Sequence, residues 1–123
     1  MRLNAYKACC QKADIAPCYQ TGQLSHESAY QLTDDVIRPE TEAIVCASDT
    51  LAMGVAKRLQ ELGRSDIQVS GVGATDLLSF IFPNTFSIDP GYFKAGHASA
   101  NLLIKQLSGQ QSITHLTQEA SLK

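Results

Sequence analysis

The stretch AIVCASDTLAMGVAKRLQELGRSDIQVSGVG, from Ala43 to Gly73, changes its hydrophobic period twice, and no other part of the chain limits the fold so tightly. Ala43–Ala47 is an almost uniformly apolar run, which predicts a strand buried on both faces. Ser48, Asp49 and Thr50 interrupt it with three side chains that cap helices well. From Leu51 the apolar residues recur at helical spacing through Val55, Leu59 and Leu62, with Lys57, Arg58 and Glu61 on the wetter sides. Gly63 stands where a helix end favours a left-handed residue, and Ile67–Val72 begins a second strand. Strand, helix and strand in this order form the building block of a parallel sheet. Ligands of such sheets bind beyond the carboxyl ends of the strands, where Ser48-Asp49 and Gly73-Ala74-Thr75-Asp76 both fall.

The flanking segments continue the alternation. Arg2 to about Ala13 reads as a helix, with Leu3, Tyr6 and Cys10 on one face. Cys18–Thr21 reads as a short strand, and Ser25 opens a helix to about Ile37, with Glu27 complementing the dipole of its first turn. Pro39 ends that helix, since proline disfavours helical geometry at the residue before it. Asp76–Phe82 is apolar nearly all round and predicts a short helix buried on several sides. Thr85–Asp89 predicts a strand, Gly91 to Leu107 a helix, and Ile113–Thr117 a last strand. The whole predicts one α/β domain around a parallel sheet.

With 123 residues the chain is long enough for one domain with a real core. Its net charge of −2 and isoelectric point near 5.8 leave no basic footprint for nucleic acid. No apolar run approaches a bilayer span, and MRLNAYKACC lacks the apolar core of a signal peptide, so a cytoplasmic location is expected. Cys9, Cys10, Cys18 and Cys46 show no metal-ligand spacing and are expected to be reduced, largely buried thiols. His26, His97 and His115 fall on different elements, and no nucleotide-binding glycine motif occurs. Catalysis, a cofactor and a metal are therefore not expected.

CASDTLAMGVAKRLQELG, followed by a strand ending in Val-Gly, resembles the effector-binding core of the lactose-repressor family of bacterial transcription factors. The segments PETEAIVCASDTLAMG and LLSFIFPNTFSIDPGY, with an opening Arg-x-x-Ala-Tyr, are similar to the trehalose-responsive members of that family. The resemblance runs in order over essentially the whole chain. It implies a three-layer subdomain of the type I periplasmic-binding-protein-like fold, spanning residues 1–123 as the C-terminal effector half of a longer repressor. The helix 91–107 would then pack on an N-terminal half that this sequence does not contain, and its stripe Phe93, Ala100, Leu103 and Leu107 would be exposed. Operator DNA would be read only by the region further upstream.

The same resemblance implies a sugar or sugar phosphate effector, trehalose 6-phosphate or trehalose, and carries over Arg2, Ser48, Asp49, Thr75 and Asp89 as its ligands. These residue types suit the task, since carboxylates and guanidinium groups bind vicinal hydroxyls through paired hydrogen bonds. Thr75 stands where many members carry a carboxylate that grips the sugar. A homodimer surface is implied at Met53, Lys57, Phe80 and Phe82. Two other functions share the architecture: a periplasmic-type sugar-binding protein, and an inactive remnant that pairs with a repressor through the Met53 surface.

Overall fold

The computed structural model describes residues 1–110 and 116–123. Its elements are α1 (Arg2–Lys12), α2 (His26–Val36), β1 (Ala43–Val45), α3 (Asp49–Glu61), β2 (Gln68–Val72), α4 (Asp76–Ile81), β3 (Thr85–Asp89), α5 (Tyr92–Leu107) and β4 (Ser121–Leu122). The sheet order is β1-β2-β3-β4; the first three strands are parallel, and β4 joins β3 antiparallel.

Local chemistry fixes the helix ends. The Ser25 hydroxyl accepts the Ser28 amide of α2 at 3.1 Å, and the Ser48 hydroxyl accepts the Leu51 amide of α3 at 3.3 Å. Gly63, at φ 67°, closes α3: its own amide reaches Gln60 and the Arg64 amide reaches back to Leu59 at 2.9 Å. Ser48 and Gly63 thus set the two ends of the helix within the central unit that the sequence periodicity places between Ala43 and Gly73.

The core lies between α2, α3 and one face of the sheet. Ala52, Val55 and Leu59 of α3 pack on Cys46, Ile67 and Val69, with Ala29 from α2 and Leu78 from α4 closing the cluster. Two close approaches make this possible. A Cβ on Gly54 would stand 2.2 Å from the His26 carbonyl, so α2 rests on the bare backbone of α3. A Cβ on Gly71 would stand 3.0 Å from the Asp49 Cα, so the start of α3 rests on the bare backbone of β2.

Several expectations are corrected. β1 is not buried on both faces: Val45 is 70% exposed, and Phe86, one strand beyond Ser70 in the same row, is exposed too. Cys18–Thr21 forms no strand, because the amide and carbonyl of Cys18 bond to the Tyr6 hydroxyl instead of a ladder. Cys10 and Cys46 are buried, but Cys9 and Cys18 are exposed. In α4 only Leu78 is buried, while Leu77, Phe80 and Ile81 face outward. Residues 113–115 of the expected last strand lie outside the described residues, Leu116 and Thr117 are not in a strand, and β4 comes later in the chain. Helix α5 contains no buried residue, and Phe93 is 88% exposed. Among the described residues no helix is long and apolar enough to cross a membrane.

Candidate functional site

The carboxyl ends of β1, β2 and β3 form one edge, and four of the five expected ligand residues stand along it. Arg2, at the start of α1, donates from Nη1 to the Ala47 carbonyl at 2.8 Å, which brings its guanidinium to the end of β1 beside Ser48. Ser48 is half-buried and its hydroxyl oxygen is engaged in capping α3. Asp89 ends β3, and its Oδ1 accepts the Gly91 amide at 2.7 Å across the turn where Gly91 adopts φ 75°. Thr75 is exposed at the start of α4.

Asp49 occupies a different place from the one the sequence suggests. Its side chain does not reach out of the edge: the residue is 2% exposed and lies beneath the edge. Oδ2 accepts the Thr75 amide at 2.8 Å and the Thr75 hydroxyl at 2.9 Å, while Oδ1 accepts the Ser87 hydroxyl at 2.6 Å. Ser87 in turn accepts the Ala74 amide at 2.8 Å. A buried carboxylate needs such donors, since desolvation disfavours an unpaired charge strongly. No buried polar side-chain atom among the described residues lacks a partner. The expectation of Asp49 as a direct ligand is thus corrected: it is the anchor under the loop that presents Thr75.

That loop has an unusual backbone. Gly73 has φ 140° and Ala74 has φ 54°, the left-handed region that a residue with a side chain rarely adopts. A Cβ on Gly73 would stand 3.2 Å from Asp49 Oδ2, so the glycine leaves room for the carboxylate. Lys123, just after β4, donates to the Ala74 carbonyl at 3.2 Å and to Asp76 Oδ1 at 3.3 Å, bringing a second cation to the same edge. Sequence reading missed both Ser87 and Lys123. Ser87 had a signal: it is the polar residue at the inward position of the alternation TFSID.

The expected dimer residues divide. Phe80 is 85% exposed, and Lys57 is exposed and pairs with Glu61 at 3.2 Å. Met53 is half-buried and lines a shallow groove with Tyr30, Gly54, Leu77 and Ile81. Phe82, like Met53, is half-buried and packs against the core cluster. Next to this groove Arg58 binds Asp34 through two hydrogen bonds of 3.0 and 2.8 Å and lies over the Tyr30 ring, whose hydroxyl bonds Glu61. The Arg58 guanidinium holds the Asp34 carboxyl below its usual range, and the Glu61 carboxylate raises the Tyr30 phenol. Among the described residues no group of His, Cys, Asp and Glu is placed to hold a metal ion.

An α/β domain whose parallel strands end in a polar edge, with helix N-termini and loops around it, is the form of a small-molecule receptor. The model of the periplasmic binding protein-like domain matches residues 1–122, and the chain belongs to that family. Its homologues include transcriptional repressors, in line with the resemblance to the lactose-repressor family. The HTH-type transcriptional regulator TreR of Salmonella typhimurium is 41% identical over 109 residues, which are 89% of this chain and 35% of that protein. TreR of Escherichia coli is 37% identical over 121 residues, 98% of this chain and 38% of that protein. The solved trehalose repressor from Escherichia coli superposes with a TM-score of 0.94 at 37% identity, covering 99% of this chain and 48% of that one. The chain therefore spans little more than a third of the length of these curated relatives.

Proposed function

We propose that this chain is the effector-binding side of a sugar-responsive transcriptional repressor, and that its effector is trehalose 6-phosphate or trehalose. The observation that carries the reading is the 37–41% identity to two TreR regulators over 89% and 98% of the chain. Arg2, Ser48, Thr75 and Asp89 form one wall of the effector cleft, with Asp49 holding the Thr75 loop from beneath. The guanidinium of Arg2 offers several fixed donors, which fits sugar hydroxyls or a phosphate. The chain works as a receptor and not as an enzyme, in the cytoplasm. It pairs with a second copy through the face of α3 and α4 that carries exposed Phe80 and Lys57 and half-buried Met53. Operator DNA is contacted by a region upstream of this sequence, in keeping with the acidic balance of the chain itself. Effector binding shifts the whole repressor between its operator-bound and released forms by differential affinity.

Thermal unfolding of the 123-residue chain with trehalose 6-phosphate, trehalose and sucrose tests the assignment. A ligand at one hundred times its Kd adds about 2.7 kcal/mol of stability if it binds only the folded state. The expected result is a raised Tm with trehalose 6-phosphate or trehalose, absent with sucrose and reduced in Arg2→Ala. Equal Tm values with and without all three sugars refute the reading.

A further inference from the structure

We propose that Ser87 is the positioning residue of this edge: it holds the Gly73–Thr75 loop, with Ala74 left-handed, in the form that meets the effector. This rests on the effector reading above for its functional half, and on the geometry alone for its structural half. Ser87 sits in the middle of β3, on the inward face, with 8% of its surface exposed. Its hydroxyl does two things at once. It donates to Asp49 Oδ1 at 2.6 Å and accepts the Ala74 amide at 2.8 Å.

These two bonds close a ring of contacts. Asp49 Oδ2 holds Thr75 through its amide and its hydroxyl, Ser87 holds Ala74, and Ser87 and Asp49 hold each other. The ring ties three separate elements together: the start of α3, the middle of β3, and the loop after β2. Ala74, at φ 54°, is the residue under strain, and a left-handed alanine persists only where surrounding bonds over-determine it. The Ser87 hydroxyl holds the Ala74 amide, while the Ala74 carbonyl is held by exposed Lys123 at 3.2 Å. Without that hydroxyl the Ala74 amide loses its partner, and the loop is free to relax toward ordinary backbone angles. Thr75 would then turn with it, although Thr75 itself is untouched.

Ser87 makes no use of its position that a purely apolar residue could replace. A strand interior favours β-branched residues, so propensity does not explain a serine at this inward position. A hydroxyl there is explained by the loop it holds. Threonine keeps that hydroxyl on a strand-forming residue, so Ser87→Thr is the conservative control.

The test compares Ser87→Ala, Ser87→Thr and the core variant Val69→Ala with the unaltered chain. Two quantities are read well below each Tm: amide hydrogen exchange by NMR, and affinity for trehalose 6-phosphate by calorimetry. In Ser87→Ala, exchange at the Ala74 and Thr75 amides accelerates at least tenfold, while amides in the middle of α3 keep their rates. Affinity falls by roughly tenfold, the size of a lost bond to a buried polar group. Ser87→Thr restores both. Val69→Ala lowers Tm but leaves affinity and the exchange of the two loop amides unchanged, which a merely structural role for Ser87 would not separate. Unchanged Ala74 and Thr75 exchange in Ser87→Ala overturns the proposal, whatever the sugar does. If the loop exchange changes but the unaltered chain binds no sugar, the positioning of the loop stands and the effector reading fails. If loop exchange changes and affinity does not, the loop does not meet the effector and the functional half is overturned.

Discussion

Replacing Asp49 with alanine separates two roles that the same residue could play at the start of α3. A carboxylate that merely capped the helix would cost about 1 kcal/mol when removed. The structure gives that work to Ser48 and buries Asp49 with three donors around it. In Asp49→Ala the Thr75 amide and hydroxyl lie at an exposed position and recover much of their loss from water. The Ser87 hydroxyl is buried and cannot, and an unsatisfied buried donor costs about 1–3 kcal/mol. Loosening a left-handed Ala74 returns some strain, but the substitution also removes the contact between α3 and the middle of β3. The net expectation is a loss of about 3 kcal/mol, a large part of the 5–15 kcal/mol total typical of a domain. Urea unfolding followed by far-UV circular dichroism reads it directly: with a slope of about 1.5 kcal/mol per molar, the midpoint falls by about 2 M. A fall equivalent to 1 kcal/mol or less would mean that Asp49 is a surface cap and that the ring of contacts carries no weight.

Three further outcomes follow from the packing. Gly54→Ala would gain about 1 kcal/mol in an exposed helix, but here the new methyl stands 2.2 Å from the His26 carbonyl and 2.9 Å from Ala29 Cβ, so α2 must move and the net change is a loss of about 2 kcal/mol. A Tm equal to or above that of the unaltered chain would refute the close approach of α2 and α3. Burial pushes the Cys46 thiol from 9.0 up to about 12, so iodoacetamide at pH 8 should modify exposed Cys9 and Cys18 and spare Cys46 until the chain unfolds. The same shift makes the stability contributed by Cys46 complete below pH 9 and progressively lost as the pH climbs toward 12, because the unfolded thiol ionises first. Mass spectrometry of the labelled chain checks the first statement, and a Cys46→Ala comparison of stability across that pH range checks the second.

The central unit was legible because its periods are strong and its caps are local. Ser48, Gly63 and the apolar repeat of α3 need no distant partner to declare themselves, and β3 runs between the two residues the alternation marks. What failed depended on neighbours far along the chain. An apolar run such as Ala43–Ala47 shows that a strand can be buried, but which face is covered depends on the elements packed against it, and here Val45 looks outward. Cys18–Thr21 has strand-forming composition, yet the Tyr6 hydroxyl takes the backbone groups that a ladder would need. At the edge, Ser48 and Asp49 are both good caps by type, so sequence alone does not say which one turns inward. The partner that decides it, Ser87, lies 38 residues away.

The inward turn of Asp49 also settles how charge is distributed along the edge. A helix N-terminus usually offers an anion its free amides and the positive end of its dipole. At α3 the Leu51 amide is already taken by Ser48, and the dipole end sits against the buried Asp49 carboxylate. An incoming phosphate therefore gains little from the helix and meets a negative charge beneath it. Any preference for a phosphorylated sugar on this wall must come from cations that stand outside the carboxylate. Arg2 is fixed beside Ser48 by the Ala47 carbonyl, and Lys123 is fixed over the Ala74 loop. On the proposed reading, selection between a sugar and its phosphate would fall to Arg2 and Lys123, with the ring of Asp49, Ser87 and Thr75 setting the shape of the surface between them.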